Sequence, residues 1–360
     1  MIQIAETLVT ARKARGWTQE QVAQFCNVTK ASVSKWEKGV SYPDITMLPQ
    51  LAALFEMTID ELLNAKRTLS RNEIRTRYHQ FAERFANEPF DVVYADVVQE
   101  GKLYYDDEHY LLQLTILLMN HMALCQTPAA MQQQMIDWLK RIEHITSDVW
   151  VLRQVNALLA LHALLQGQPQ DVLTRLQGSE RPHLGEELTL AQGYELLGEQ
   201  KAAARTIQVM TYQALLQLIG GAVHYVRLMK DNEGAFTTTV QRIDALIATY
   251  DIANWHPNSC LQFYYAVALS AALRGDGAMS ERYLTQYVHV ATHALFPIVL
   301  KGDAYFDLVD DWLEGSLDLG TQALRNDEMV KQSLIQSLQA PHFASFDWLP
   351  SVQQRLEEGL

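Results

Sequence analysis

Residue types that often carry catalysis or bind metal ions occur in this chain without the spacing that such chemistry needs. The eleven histidines form no HExxH motif and pair with no cysteine at metal-ligand spacing, and Cys26, Cys125 and Cys260 stand far apart. A glycine-rich phosphate loop and a GxSxG nucleophile motif are both missing. The acidic residues around Trp312 are typical of a solvated helix face rather than a cation site. We therefore expect no catalysis, no cofactor and no metal site.

The charge of the chain is unevenly distributed, and this bears on which partners it can approach. The net charge is -13, and an acidic protein repels nucleic acid at long range. Residues 1–67, however, contain eight basic and seven acidic residues, a net charge of +1, which leaves -14 for residues 68–360. Only the N-terminal segment is therefore free to approach phosphate.

Length and composition predict a protein that is folded throughout. With 360 residues, 48% of them apolar and 20% charged, the chain exceeds the usual size of one core, so we expect two domains or a repeat array. The N-terminus lacks an apolar signal core, and the longest apolar stretches are too short to span a bilayer. The few unpaired cysteines are typical of a reducing compartment. These features predict a cytoplasmic protein.

Five short helices are predicted in the first 65 residues. Apolar residues at helical spacing predict a helix over 2–14, which Gly16 ends. Thr18, with a glutamine three positions later, forms a capping box for a second helix. Thr29 caps a third helix that Gly39 ends. Two more helices follow, one over residues 47–54 and one over 59–63.

The string GWTQEQVAQFCNVTKASVSKWEKGVSYPDITMLPQLAALFEMTIDELL resembles the XRE-like, or lambda-repressor-type, helix-turn-helix family. Its Thr-Gln opening, Ser-Lys-Trp-Glu-Lys-Gly close, Tyr-Pro loop and Asp-Glu-Leu-Leu ending occur together at the spacing of that family. The resemblance covers about a fifth of the chain. It implies that the third helix enters the major groove of DNA, while the second crosses the backbone.

This resemblance implies a set of DNA contacts. Lysines can donate to guanine or phosphate, serines can bond either, and an alanine can meet a thymine methyl group. Gln19, at the start of the second helix, would hold a phosphate. The residues implied on or beside the third helix are Thr29, Lys30, Ala31, Ser32, Ser34 and Lys35.

Other residues of this segment have structural interpretations. The spacing of Val33 and Trp36 places them in the core. The family pattern sets Arg12 against Glu37, so we expect a structural ion pair rather than a phosphate contact. Three further basic residues are either phosphate contacts or solvated surface: Lys13, Arg15 and Lys38.

The domain division predicted from the sequence is a DNA-binding domain over 1–66, a linker over 67–72 and a helical domain over 73–360. The stretch from residue 64 to 72 is polar and lacks apolar periodicity. Beyond it, apolar residues recur every three or four positions in segment after segment. The fold class is therefore all-α, a five-helix lambda-repressor-like domain followed by more helices.

Three of the later segments share one layout, in which a helix rich in small residues runs into a glycine and a second helix follows. The glycines are Gly167, Gly198 and Gly275. Spacing in the mid-thirties with this layout is the signature of tetratricopeptide-like repeats, which form an α-solenoid. An irregular helical bundle with the same number of helices is the alternative.

A helix-turn-helix domain followed by such repeats is similar in layout to the RRNPP regulators. That resemblance implies a tail that dimerises and binds a short signalling peptide, as in quorum sensing. Candidate effector residues are Arg153, Asn156, Tyr194 and Tyr264. The alternatives are a buried hydrogen-bonded pair for Arg153 and Asn156, and core positions for the tyrosines.

The sequence therefore predicts a homodimeric transcriptional regulator that binds a palindromic operator and senses a peptide. Two domains bind half-sites about 34 Å apart, and pairing them raises affinity through effective concentration. Two other hypotheses stay open. One is a DNA-tethered interaction scaffold with no small ligand, and the other is an enzyme with a regulatory N-terminal domain.

Overall fold

The protein is described here by a computed structural model, in which residues 4–63 and 68–360 are placed. Within these ranges it is all-α, and the one β-type pairing is an isolated bridge between Val299 and Gln322. None of the helices in these ranges is long and apolar enough to cross a bilayer. The α-helices are α1 Ile4–Ala14, α2 Gln19–Phe25, α3 Lys30–Glu37, α4 Leu48–Leu54, α5 Ile59–Leu63, α6 Arg71–Asn87, α7 Phe90–Leu103, α8 Glu108–Asn120, α9 Pro128–Ile145, α10 Val149–Leu165, α11 Pro169–Leu176, α12 Glu186–Leu196, α13 Gln200–Leu228, α14 Glu233–Thr249, α15 Ile252–Trp255, α16 Pro257–Leu273, α17 Gly277–His293, α18 Asp310–Ser316, α19 Asp327–Ser337 and α20 Leu349–Gly359. Short 3-10 helices cover Ile45–Met47, Met122–Leu124 and Pro341–Phe343.

Helices α1 to α5 surround a small apolar core of their own, the N-terminal domain. Val33 and Trp36 of α3 are buried in it, as their spacing predicts. The other buried members come from every helix of the domain: Ile4, Leu8, Ala11, Val22, Ala23, Cys26, Leu51, Ala52, Leu54, Phe55 and Leu62. The five predicted helices are therefore all present. The start of the predicted first helix, Ile2, lies outside the described residues.

The chain divides into two compact units. The first comprises Met1–Ser70, Asp96–Thr115 and Gln133–Leu159, and the second comprises Arg71–Ala95, Ile116–Gln132 and Ala160–Leu360. The predicted boundary at residue 66 lies outside the described residues. The last two residues of the predicted linker belong to the first turn of α6. The division into domains over 1–66 and 73–360 stays a prediction.

Within the first unit, Asp107 holds two backbone groups with one carboxylate. Its Oδ1 accepts a hydrogen bond of 3.0 Å from the N–H of Tyr110 in the first turn of α8. Its Oδ2 accepts one of 2.7 Å from the N–H of Leu69, in the segment that follows the N-terminal domain. Because Asp107 is itself buried, this cap anchors residue 69 to the start of α8.

The second unit has a large core with an aromatic centre. The ring centroids of Tyr212 and Trp255 are 4.5 Å apart, and Phe306 packs edge-on against Trp255 at 5.1 Å. Phe306 follows α17 and belongs to the C-terminal segment. This segment adds nine buried residues to the core, namely Phe306, Val309, Leu313, Leu334, Leu338, Phe343, Leu349, Val352 and Leu356. The Trp255 indole N–H donates to the Tyr250 carbonyl at 2.9 Å, so the buried ring is also satisfied.

The three glycine turns predicted from the repeat pattern have the same geometry. Gly167, Gly198 and Gly275 all have φ between +66° and +79°. In each turn, the N–H of the residue after the glycine donates to the carbonyl five residues back, at 2.9 Å in all three cases. This is the Schellman motif, which ends a helix and lets the next one begin. The helix–turn–helix units are therefore present, while the solenoid they would build stays a prediction.

The sequence analysis did not predict several of the helices. Helices α7, α15 and α18 to α20 were not assigned individually, and α13 continues to Leu228, nine residues past Ile219, where the apolar periodicity predicts its end. Helix α15 has four residues, too few for a periodic pattern to be recognised. The extension of α13 passes through Gly220 and Gly221, residues that lower helix propensity.

The turn at Gly198 allows a stability test with a control in the preceding helix. We expect Gly198→Ala to lower the free energy of unfolding by about 1–2 kcal/mol, because a Cβ disfavours this left-handed conformation. Gly193 lies inside α12, where a Cβ meets nothing within 4 Å, so Gly193→Ala should raise it by about 0.5–1 kcal/mol. Urea unfolding followed by circular dichroism measures both. Two changes of the same sign would contradict this account of the turn.

Candidate nucleic-acid interface

Helix α3 presents a polar face away from the core of the N-terminal domain. Lys30, Ala31 and Lys35 are exposed, and Ser32 and Ser34 are half-buried. Among the described residues, no carboxylate forms an ion pair with either lysine. The ammonium groups therefore remain available to an external acceptor, as the sequence analysis predicts.

The start of α3 is fixed by side-chain hydroxyl groups. The Oγ1 of Thr29 accepts a hydrogen bond of 3.2 Å from the backbone N–H of Ser32. The two hydroxyl groups lie 2.9 Å apart and also bond each other. Thr29 thus acts as the N-cap of the helix, with one hydroxyl lone pair left for another partner. It was predicted both as a cap and as a DNA contact, and only the cap is visible here.

Helix α2 begins in the same way. The Oγ1 of Thr18 accepts a hydrogen bond of 3.3 Å from the Gln21 N–H, and the Gln21 side chain accepts one of 2.8 Å from the Thr18 N–H. This is the predicted capping box, formed in both directions. The two caps set where α2 and α3 begin, and therefore which side chains each helix turns outward.

Arg12 and Glu37 join the end of α3 to α1. The Arg12 Nε lies 2.6 Å from Glu37 Oε1, and its Nη2 lies 3.0 Å from Oε2. The remaining nitrogen, Nη1, donates to the Trp17 carbonyl at 2.8 Å. The side chains are only 14% and 6% exposed, so this two-pronged pair is largely held out of water, and each guanidinium nitrogen donates one hydrogen bond. It is the pair that the sequence analysis expected.

Gln19 has a partner that the sequence analysis did not assign to it. Its Nε2 donates to Glu37 Oε2 at 2.8 Å, so one glutamate receives hydrogen bonds from both α1 and α2. Burial alone would raise the pKa of Glu37, but the hydrogen bonds from Arg12 and Gln19 and the charge of Arg12 hold it below its ordinary value. A phosphate held by Gln19 would have to use its second amide hydrogen.

Arg15, which the sequence analysis left as a phosphate contact or solvated surface, is partly buried and has partners within the N-terminal domain. Its Nη2 donates to the Phe55 carbonyl at 2.6 Å, and its guanidinium carbon lies 5.7 Å from the centre of the Phe55 ring. It therefore covers the end of α4. Lys13 and Lys38 are exposed, as both of their alternatives require.

Apolar residues in the loop after α3 are unusually exposed, and sequence reasoning missed them. Val40 is 70% exposed, Tyr42 is 56% exposed and Ile45 is 77% exposed, whereas Pro43 between them is buried. Their signal in the sequence was their position outside any helical period. They give the segment after α3 exposed side chains suited to apolar contact.

The candidate effector residues are divided between the two units. Arg153 and Asn156 belong to the first unit, and Tyr194 and Tyr264 belong to the second. Arg153 is exposed, with its guanidinium carbon 5.0 Å from the centre of the Trp150 ring, so the buried pair with Asn156 is wrong for Arg153. Asn156 and Tyr194 are half-buried. Tyr264 is only 9% exposed in the core of the second unit, which is the alternative given for it in the sequence analysis.

Residues 8–62 match a family model described as helix-turn-helix. The transcriptional activator BcrR of Enterococcus faecalis is 34% identical over 76 residues, which cover 21% of this chain and 37% of that protein. The regulator AnsR of Bacillus subtilis is 31% identical over 62 residues, covering 17% and 53% of the two chains. The phage repressor RstR of Vibrio cholerae is 33% identical over 76 residues, covering 21% and 68%. The aligned region spans about a third to a half of the first two relatives.

Two solved structures align with most of this chain. The apo form of the competence regulator ComR from Streptococcus vestibularis has a TM-score of 0.27 at 13% identity, covering 84% of this chain and 94% of that one. ComR from S. thermophilus in complex with DNA and its signalling peptide ComS has a TM-score of 0.19 at 11% identity, covering 93% and 99%.

The Arg12–Glu37 pair should make the free energy of unfolding depend on pH in a predictable direction. Replacing Glu37 by Gln leaves the guanidinium without its anion, so we expect the free energy of unfolding to fall by about 1–3 kcal/mol at pH 7. Because the pKa of Glu37 is lowered on folding, this contribution is present above the unfolded pKa of about 4.3 and is lost as pH falls through the folded value. The difference in stability between the variant and the wild type should therefore be smaller at pH 3 than at pH 7.

Urea unfolding of the full chain followed by tryptophan fluorescence tests this at pH 7 and pH 3. Glu6→Gln is the matched control, since Glu6 is an exposed glutamate on α1, and it should change little. The pair would have no special role if both variants lost the same stability at pH 7.

Proposed function

Because residues 8–62 form an XRE-type helix-turn-helix domain, we propose that the chain is a sequence-specific DNA-binding transcriptional regulator. It binds a two-fold operator as a homodimer, and its helical tail senses a short peptide. The printed descriptions of the relatives of the N-terminal domain are an activator, a regulator and a repressor, which supports regulation of either sign.

The observation that carries the DNA-binding proposal is the exposed face of α3. Its two lysines have no carboxylate partner in the described part of the chain, and they flank small side chains that let the helix approach base edges. The core residues Val33 and Trp36 fix the opposite face. This arrangement supports a docking in which Lys30 and Lys35 face the major groove.

Exposed leucines in the second unit support the homodimer. Helix α11 has no buried residue, and α12 buries only Ala191. Ten leucines near these helices are between 38% and 90% exposed: Leu161, Leu164, Leu165, Leu173, Leu176, Leu184, Leu188, Leu190, Leu196 and Leu197. Together they expose on the order of 1,000 Å² per chain, which compares with the roughly 800 Å² per partner of a stable interface. A second copy is the occupant that also supplies the second DNA-binding domain.

The DNA-binding proposal is tested by selecting operators from a random DNA library with the purified chain. On the selected sequence we expect Lys30→Ala and Lys35→Ala each to cost roughly 1–3 kcal/mol of binding free energy and to relax the preference at one base pair. Lys102→Ala removes the same charge from an exposed position on α7 and should leave affinity unchanged.

Three outcomes of the selection are informative. An equal loss on every sequence would make these lysines phosphate contacts, whereas no enriched sequence with the wild-type chain would refute specific DNA binding. A single half-site, enriched without its two-fold mate, would refute the dimer on DNA.

The dimer itself is tested by sedimentation velocity at micromolar concentration. We expect the wild type to be a dimer and a Leu164→Glu, Leu190→Glu variant to be a monomer with an unchanged circular dichroism spectrum. Both leucines are exposed, and glutamate has a similar helix propensity, so the fold of the monomer should tolerate the change. Leu103→Glu, at an exposed leucine of the first unit, is the control. A dimer that survives the double substitution would place the interface elsewhere, and a monomeric wild type with co-purifying protein would favour the scaffold alternative.

A further inference from the structure

An open groove of about 610 Å³ in the second unit is lined by residues of α13 and α14. Its volume is within the size range of ligand sites. Its apolar floor includes Ala222 and Ile243, and Leu218 and Tyr225 rise from it 53% and 44% exposed. The residues that line the groove recur every three or four positions along both helices, so the groove follows the helix axes. Its shape suits an elongated molecule rather than a compact one.

Two adjacent glycines occur in α13 beside this groove, and the helix continues through both of them. Gly220 and Gly221 lie in the middle of a 29-residue helix, where each costs about 1 kcal/mol relative to alanine. Neither has a positive φ, and a Cβ on either would meet nothing within 4 Å. Packing within the described chain therefore does not require them. Gly221 lines the groove and Gly220 does not, and a glycine there lets a ligand approach the helix backbone.

The polar groups of the groove indicate the class of ligand. Arg242 lines it and, among the described residues, forms no ion pair. A guanidinium beside an apolar floor is complementary to a carboxylate. Gln217 and Thr239 also line the groove, and an alkyl chain would leave their polar groups unmatched, whereas a peptide backbone offers donors and acceptors.

We propose that the α13–α14 groove binds a short apolar peptide through its free C-terminal carboxylate, with Arg242 on the carboxylate and Gly221 against the peptide backbone. This inference rests on the proposed function, because it assigns the sensing role to a particular site. It replaces the four effector residues expected from the sequence, which the fold distributes over two units. The groove, the unexplained glycine and the unpaired arginine meet within one stretch of two helices.

The test follows the melting temperature of the full chain by tryptophan fluorescence in the presence of defined probes. One pool contains synthetic apolar hexapeptides with free C-termini, a second contains the same sequences with amidated C-termini, and dodecanoate is the fatty-acid probe. We expect the free-acid pool to raise the melting temperature by about 2 °C or more. The amidated pool and dodecanoate should raise it less.

The variants separate the groove from other sites. Gly220→Ala and Gly221→Ala should both raise the melting temperature without ligand, since both add a better helix former. Gly220→Ala should still respond to the free-acid pool, and Gly221→Ala should not. Arg242→Gln should respond equally weakly to the free-acid and amidated pools.

Each contrary outcome has its own meaning. A response that survives in Gly221→Ala would overturn the groove assignment and leave peptide sensing intact. A rise in the melting temperature with dodecanoate alone would show that the ligand is not a peptide. The absence of a rise with every probe would also overturn the peptide proposal. Operator selection on the same preparations separates the two proposals, because its failure would refute the regulator whatever the groove binds.

Discussion

The contact on which the helix-turn-helix element depends is the ion pair between Arg12 and Glu37. The core of the N-terminal domain is small, so apolar packing alone specifies the angles between its helices weakly. Glu37, at the end of α3, takes hydrogen bonds from α1 and α2 together, and Arg12 also holds the turn at Trp17. A largely buried pair, in which all three guanidinium nitrogens donate hydrogen bonds, adds little net stability but favours one arrangement of the helices. The outward face of α3 follows from that arrangement.

Features that depend on local chemistry were predictable from the sequence. The caps at Thr18 and Thr29 and the helix ends at Gly16 and Gly39 need only a few neighbouring residues to act, so their pattern is visible in the chain. The same holds for the three glycine turns of the tail. The Arg12–Glu37 pair joins residues 25 positions apart, and only the family resemblance indicated it.

Features that depend on tertiary arrangement were not predictable in this way. Nothing local distinguishes Arg15, which covers the end of α4, from the exposed Lys13 beside it. Asn27 and Glu56 end helices with positive φ in place of glycine, so no glycine marks those turns. In the tail, the same period of three and four describes the buried Tyr264 and the exposed leucines. Periodicity finds an apolar face, but only the fold decides what covers it.

The glycines of the tail fall into two physical classes, and the difference bears on function. At Gly198 the backbone itself requires glycine, because φ is positive. At Gly221 the backbone is helical and the space around it is open, so neither conformation nor packing within the chain accounts for the residue. The ten leucines near α11 and α12 are likewise exposed in the described chain. A tail that carries helix-weakening glycines and uncovered leucines is less stable alone than its length allows, and binding partners would restore that stability. The N-terminal domain, by contrast, uses a largely buried ion pair to hold α3 in place.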